Sequence, residues 1–415
     1  VIEISIYLLT TFLIIGMFLL TLAFYFFMKP VERRTYTEKE AKDLPLVSVI
    51  IPARNEAGKI GRLLESMLNQ EYPNYEVVVI DDRSTDRTGE IIAEYAARDS
   101  RIKFVQGKDA PKGWIGKCNA LAHAVGYASG DWYVFTDADT YHHPNSIGDA
   151  INYAVTNKID LLSFVPVQEL GSFWERLVMP VLLSSFLIGD PFHTVNDPNA
   201  KRAYAYGQYV VCRRSSYLAA GGHQSVRDEI VEDHAIARVF KEKGYKIAVA
   251  DGKTLYSVRM YTDLESLWLG WTKNLYSLID SKIFNLVFIL SLLNTVILWP
   301  FFELAWVVAL WDLSDMDLTL NLIRLTVLVL VQYTVLFFWF LKTSEHHAGI
   351  KWTHFFWLPF GAVAVSVLYL HAACLVLFGG EVNWKGRRYV VNTHKTIQSD
   401  GALEKPKLIP DVSDG

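Results

Sequence analysis

The chain has 415 residues, 51% of them apolar, with a mean hydropathy of +0.19 and a formal net charge of −4. That length admits two regions, and the mild acidity with no basic stripe argues against a nucleic-acid partner. The three cysteines, Cys118, Cys212 and Cys374, are scattered without CxxC spacing, which predicts neither a disulfide framework nor a zinc site.

From Ser5 to Met28 there are 24 residues without a charge, enough to span a bilayer. A signal peptide is the competing reading, but the run exceeds a usual h-region and no small-residue cleavage site follows. Lys29, Arg33 and Arg34 come next, so the positive-inside rule places residue 29 onward in the cytoplasm. Three further spans are predicted at Ile283–Phe302 (continuing past Glu303 to Trp311), Leu325–Leu341 and Phe355–Phe378. Four crossings put the C-terminus outside, whereas Lys385, Arg387, Arg388 and Lys395 favour the inside; a re-entrant break at Pro359 would reconcile the two.

Between these apolar regions, strands alternate with helices. LVSVIIP (46–52), YEVVVID (75–81), residues 102–105 and DWYVFT (131–136) read as strands; residues 57–69, 88–97 and 116–128 read as helices. That alternation predicts an α/β domain with a mostly parallel sheet covered on both faces. Ligands of such sheets sit at the carboxyl ends of the strands. Two strands here end in paired acids, Asp81-Asp82 and Asp137-Ala138-Asp139. No GxGxxG follows the first strand, and Gly116-Lys117-Cys118 lacks the rest of a P-loop.

In an extended chain Asp137 and Asp139 face the same way. Two readings stay open: hard oxygen ligands for Mg2+ or Mn2+, or a polar strand end before a turn at His142-His143-Pro144, with both histidines loop residues. Residues 262–280 place Leu264, Leu267, Trp268, Trp271, Leu275 and Leu278 at helical spacing, just before the second span. This predicts an amphipathic helix lying in the membrane interface, with an ordinary core helix as the alternative. Leu177–Gly189, too short to span, is its expected neighbour at that surface.

The segments VSVIIPARNEAGKIGRLLESMLNQ, EVVVIDDRSTDRT, PKGWIGKCNAL, DADT and EIVEDHAIARVFKEKGYKI, in this order, resemble the membrane-anchored family 2 glycosyltransferases of GT-A fold. PKGWIGK and the late WKGRRY look most like bacterial enzymes associated with carotenoid acids and hopanoids; ceramide glucosyltransferases are more distant in appearance. The resemblance implies that Pro52, Arg54, Asn55 and Glu56 line a nucleotide pocket, and that Asp82 accepts from the base. It implies that Asp137 and Asp139 hold the divalent metal, and that Asp233 is the general base, with Glu232 the alternate. Lys117 would reach the donor diphosphate or sugar, and Trp114 would shape the sugar pocket. Gly207 and Gln208 would meet the acceptor together with Trp268 and Trp271, and Arg259, with Tyr261, would contact diphosphate or close the pocket. His234 is expected on the helix surface.

The implied activity is inverting transfer of a hexosyl unit from a nucleotide diphosphate sugar, UDP-glucose by family frequency, to a membrane lipid. A processive polysaccharide synthase is the alternative, weakened by the missing Gln-x-x-Arg-Trp motif. A non-catalytic membrane scaffold is a third reading, set against four retained carboxylates at 82, 137, 139 and 233. The expected organisation is a first span at 1–30, a GT-A domain at 45–260, an interfacial helix at 261–282, a membrane region at 283–380 and a polar tail at 381–415.

Overall fold

The computed structural model describes residues 2–27, 30–35, 43–189, 192–279, 283–309, 316–378, 381–384, 387–392 and 395–399. Helix α1 (Ile2–Phe27) precedes β1 (Val47–Ala53), α2 (Ile60–Leu68), β2 (Tyr75–Asp81), α3 (Thr88–Arg98), β3 (Ile102–Gln106), α4 (Gly116–Val125) and β4 (Trp132–Thr136). Then come β5 (Thr140–His142), α5 (Ser146–Thr156), β6 (Leu161–Val165), β7 (Val167–Glu169), α6 (Phe173–Gly189) and β8 (Tyr209–Arg213). Helix α7 (Glu232–Glu242), β9 (Ile247–Asp251), β10 (Tyr256–Val258) and α8 (Leu264–Ile279) complete the first region.

The main sheet has the order β3-β2-β1-β4-β8-β6-β9. It is parallel except for β8, which runs antiparallel to β4 and β6. Its central strands β2 and β4 are buried at every position, and β1 at all but Pro52, because both faces are covered. Val47, Val49 and Ile51 pack with Ile60, Leu63 and Leu64 of α2, whereas Ile50 packs on the other side with Leu121 of α4 and Ile236 of α7. That second core continues without a break into the helices that follow.

Those helices are α9 (Ile283–Leu293), a π-helical turn (Asn294–Leu298) running into α10 (Trp299–Ala309), α11 (Met316–Ser344) and α12 (Leu358–Phe378). Among the described residues, three stretches are long and apolar enough to cross a membrane: Leu286–Glu303, Leu322–Ser344 and Trp352–Leu375. Glu303 ends the first; it is buried and accepts a hydrogen bond from the Thr10 hydroxyl of α1. Pro359 is the second residue of α12, where its missing N–H is harmless, so the helix runs unbroken to Phe378 and the re-entrant break is absent.

Helix α12 lies against α6 and α8. A Cβ on Gly361 would collide with the Leu177 carbonyl, Tyr369 approaches Ser185 at 3.3 Å, and Trp268 donates to His371 at 3.1 Å. Its outer side exposes Phe360, Val363, Val367 and Leu370. This corrects the interfacial reading of 262–280. Leu267, Trp271 and Leu275 are buried, as are Val178, Val181 and Leu182 of α6, because α12 covers both helices. The side chain of Leu278 lies outside the described residues. An apolar stripe is satisfied equally by lipid or by a neighbouring helix, and here the neighbour takes it.

A second sheet, β11-β7-β10-β5, includes β11 (His347–Ala348) from the connection after α11. Three antiparallel strands follow, β12 (Glu381–Trp384), β13 (Arg387–Asn392) and β14 (Lys395–Ser399), with β12 against α8. Residues 381–384 therefore lie beside the first region. Lys29, Lys385 and the tail from 400 fall outside the described residues.

Candidate active site

The carboxyl ends of β1, β2 and β4 open onto one cavity of about 1230 Å³. Beyond β1 the chain turns at Asn55, whose φ of 52° is a left-handed conformation that asparagine tolerates. The loop after β2 is laced to this turn: Asn55 N–H donates to Ser84 Oγ at 3.0 Å, and Asn55 Oδ1 accepts from Thr85 N–H at 2.8 Å. Asp86 accepts from Ala57 N–H at 3.1 Å and Thr88 N–H at 3.0 Å. Burial alone would raise the Asp86 pKa, but the Thr88 and Ala57 hydrogen bonds outweigh it and hold it below the usual range. Arg54 donates to the carbonyls of Asp82 and Arg83 at 2.7 and 3.1 Å.

The two acids ending β2 have separate jobs. Asp81 turns away from the cavity and accepts from Ser84 N–H at 3.0 Å and Gln106 at 3.3 Å. Asp82 lines the cavity with Pro52, Arg54, Asn55 and Glu56.

Asp137, Ala138 and Asp139 are not extended; they form the tight turn from β4 into β5, with Thr140 N–H reaching back to the Asp137 carbonyl at 3.4 Å. Both carboxylates nevertheless face the cavity. Lys117, second residue of α4, lies 2.8 Å from Asp137 and 2.7 Å from Glu232, and Lys59 lies 3.7 Å from Asp139. Burial would favour a neutral Lys117 amine, but Asp137, Glu232 and Asp233 overcome it and push its pKa well up. That also offsets the unfavourable helix dipole at this position.

Strand β8 runs antiparallel to β4, so the segment entering it meets the strand end that carries Asp137. Thr136 Oγ1 donates to the Gln208 carbonyl at 2.8 Å. Gly207 N–H donates to Asp233 Oδ2 at 2.7 Å, and His234 N–H donates to Asp233 Oδ1 at 2.9 Å. Burial, opposed by His234 and reinforced by Glu232, raises the Asp233 pKa. A carboxyl so placed is a stronger proton acceptor than an ordinary aspartate.

Three proposed contacts do not reach the cavity wall. Trp114 packs with Ile115, Cys118, Ile230 and Val231. Arg259 points to Glu175, 3.5 Å away, across Gly171. Trp268 turns to His371, whereas Trp271 and Tyr261 do line the cavity. His142 is no loop residue: it sits in β5, buried, 2.9 Å from Thr136 and 3.0 Å from Ser146, and burial pushes its pKa down to about 3. His234, expected on the surface, lines the cavity 5.6 Å from the Tyr204 ring.

Residues 48–218 match the family described as Glycosyl transferase family 2. The 4,4'-diaponeurosporenoate glycosyltransferase of Staphylococcus aureus (strain USA300) is 26% identical over 355 residues, covering 83% of this chain and 88% of the relative. Residues 48–218 are a family 2 glycosyltransferase domain. The protein of the same name from strain MRSA252 is 32% identical over 232 residues, 55% of this chain and 60% of that relative. The mannosyltransferase PcManGT from Pyrobaculum calidifontis, solved in complex with GDP-Man and Mn2+, shares the fold of this glycosyltransferase. Its TM-score is 0.52 at 19% identity, over 91% of this chain and 99% of that one.

Sequence reasoning passed over Lys59, Asp86 and Tyr204, all on the cavity wall of this glycosyltransferase. Lys59 and Asp86 sit in the loops already singled out around Glu56 and Asp82, and Tyr204 lies three residues before Gly207, so their position was the available signal. The close approach at Gly207 is testable. A Cβ there would lie 2.6 Å from Asp233 Oδ2. Gly207→Ala is expected to displace that carboxylate and lower turnover about 10²-fold, the cost of roughly 1 Å of misplacement, with nucleotide binding retained in a fluorescence titration.

Proposed function

We propose that this glycosyltransferase moves a hexosyl unit from a nucleotide diphosphate sugar, UDP-glucose as first choice, to the hydroxyl or carboxyl of a lipid at the membrane surface. One observation carries the reading: a single cavity joins the loops after β1 and β2 to Leu183, Leu286, Ile289 and Tyr369 on the apolar helices. A water-soluble donor and an apolar acceptor can meet in it at Asp233. The name of the S. aureus relative, a 4,4'-diaponeurosporenoate glycosyltransferase, supports an apolar acceptor.

In this reading Pro52, Arg54, Asn55, Glu56 and Asp82 bind the nucleoside, and Lys117 neutralises negative charge beside Asp137. Asp233, held by Gly207, takes the proton from an acceptor hydroxyl. The acceptor oxygen bonds to the anomeric carbon as the bond to diphosphate breaks on the opposite face, which inverts that centre. Gln208 orients the acceptor; its Oε1 is buried without a protein partner.

The donor set suits a hard divalent cation that shares its shell with a ligand. Asp137 and Asp139 offer two carboxylates on the cavity, while no group of three or more His, Cys, Asp or Glu among the described residues makes a closed cage. Asp137 and Asp139 would hold Mg2+ or Mn2+, which when bound offsets charge on the departing diphosphate. Excess EDTA and Asp139→Asn are each expected to abolish turnover; full activity in chelator refutes the assignment.

The catalytic domain is placed on the cytoplasmic side of a multi-pass protein, because Arg33 and Arg34 follow the first helix. Detergent-purified protein incubated with a panel of nucleotide sugars and a total lipid extract tests the function. A new glycolipid identified by mass spectrometry supports it. A better soluble acceptor than any lipid, or a long polymer, overturns it.

A further inference from the structure

Away from Asp233 the cavity meets a second polar patch. His346 and His347 follow α11, and both rings line the cavity together with Gln168 of β7. Each histidine is 5% exposed. His347 Nδ1 lies 2.9 Å from the Thr343 carbonyl, which can only accept, so Nδ1 carries the proton and Nε2 the lone pair. Burial, opposed by that bond and aided by His346, lowers the His347 pKa to about 4, which keeps the ring neutral near pH 7. His346 Nε2 donates to Asp251 Oδ1 at 2.9 Å.

The other nitrogen of each ring, His346 Nδ1 and His347 Nε2, is buried and has no protein partner. Buried polar atoms are almost always satisfied, so two adjacent exceptions on a cavity wall point to a ligand group. On the neutral His347 ring Nε2 is an acceptor, which calls for a hydrogen-bond donor. A metal is disfavoured, since no group of three or more ligating residues among the described residues is arranged to hold one.

Strand pairing sets the separation from the reaction centre. Thr140, beside Asp139, pairs with Val258; Val258 pairs with Gln168; Gln168 pairs with His347. Three strand-to-strand steps of roughly 4.8 Å place His347 about 14 Å from Thr140. Phe24, Leu183 and Ile289 supply apolar wall to the same cavity.

We infer that the cavity is built for an acceptor with polar groups at both ends of an apolar chain. The reacting oxygen sits at Asp233, and a second hydrogen-bond donor, such as a hydroxyl, sits at His346 and His347. This rests on reading the cavity as the acceptor site, and the test separates the two. Trp271 lies on the wall, so quenching of tryptophan fluorescence in the full-length protein can report binding. The probes are α,ω-alkanediols of graded length, the matching primary alcohols, and ω-methoxy alcohols, which accept but do not donate at the far end.

At one chain length the diol is expected to bind about tenfold tighter than the other two, the scale of one or two buried hydrogen bonds. His347→Phe and Gln168→Leu are each expected to bring the diol toward the monoalcohol, with nucleotide diphosphate binding unchanged as the check on folding. Equal affinity of all three probe classes at every length overturns the inference while leaving the acceptor site standing. So does a diol preference that survives both substitutions. Binding of none of the probes removes the acceptor reading itself, and this inference with it.

Discussion

Asp233→Asn is expected to lower turnover by ~10²–10⁴, the usual share of general-base catalysis, with nucleotide affinity within a few-fold of the unmodified protein. The substitution keeps the shape and an oxygen for the Gly207 N–H, 2.7 Å away in the unmodified site. It removes only the capacity to take a proton. The raised Asp233 pKa, caused first by burial, sets the pH dependence. The base works only when ionised, so turnover is lost as pH falls through a value above the ordinary aspartate range. The sign for stability is opposite to that of a salt-bridged acid. A carboxyl whose folded pKa is raised favours the folded state only when protonated, so its ionised form costs stability at neutral pH. Asn is therefore expected to leave the thermal midpoint unchanged or higher. Steady-state kinetics across pH and a melting curve check both statements. If Glu232→Gln loses turnover while Asp233→Asn keeps it, the roles are exchanged; the 2.7 Å ion pair of Glu232 with Lys117 argues against that outcome.

Trp271→Ala is expected to cost about 3–5 kcal/mol of stability, the range for deleting a large buried aromatic. Trp271 is buried, its indole N–H points to Met179 Sδ at 3.2 Å, and its ring centre lies 6.3 Å from that of Tyr261. Its loss removes the contact between α8 and Met179 of α6 at the cavity wall. Trp268→Ala is expected to cost less, because that side chain is only half-buried and gives up one hydrogen bond to His371. Chemical denaturation in detergent measures both. Small, equal effects on stability accompanied by loss of membrane association would reinstate α8 as an interfacial helix.

The parallel core was legible because its code is local. YEVVVID is strand β2 to the residue, and the Ile60, Leu63, Leu64, Met67 spacing of α2 names its buried face. The cavity residues of the loop after β1 were legible through the resemblance and their place at strand ends. Contacts between distant segments were not. Adjacent acids at 81 and 82 look alike in sequence, and only the positions of Ser84 and Gln106 show that Asp81 supports the loop. The reach of Arg259 is decided by Glu175, a residue 84 positions earlier in chain order (259 − 175), which no local pattern reveals. The stripe on α8 has the same period whether lipid or α12 covers it, so periodicity could not choose.

The pairing of β11 with β7 makes the connection between the apolar helices α11 and α12 a structural part of the small sheet. A soluble fragment ending near Ile279 would lack β11, leaving the backbone of Gln168 and Glu169 as a bare strand edge and Asp251 without His346. Such edges recruit other chains. Trimming this protein to a convenient aqueous domain would therefore trade one insoluble surface for another, and the enzyme is best handled as a single unit with its apolar helices.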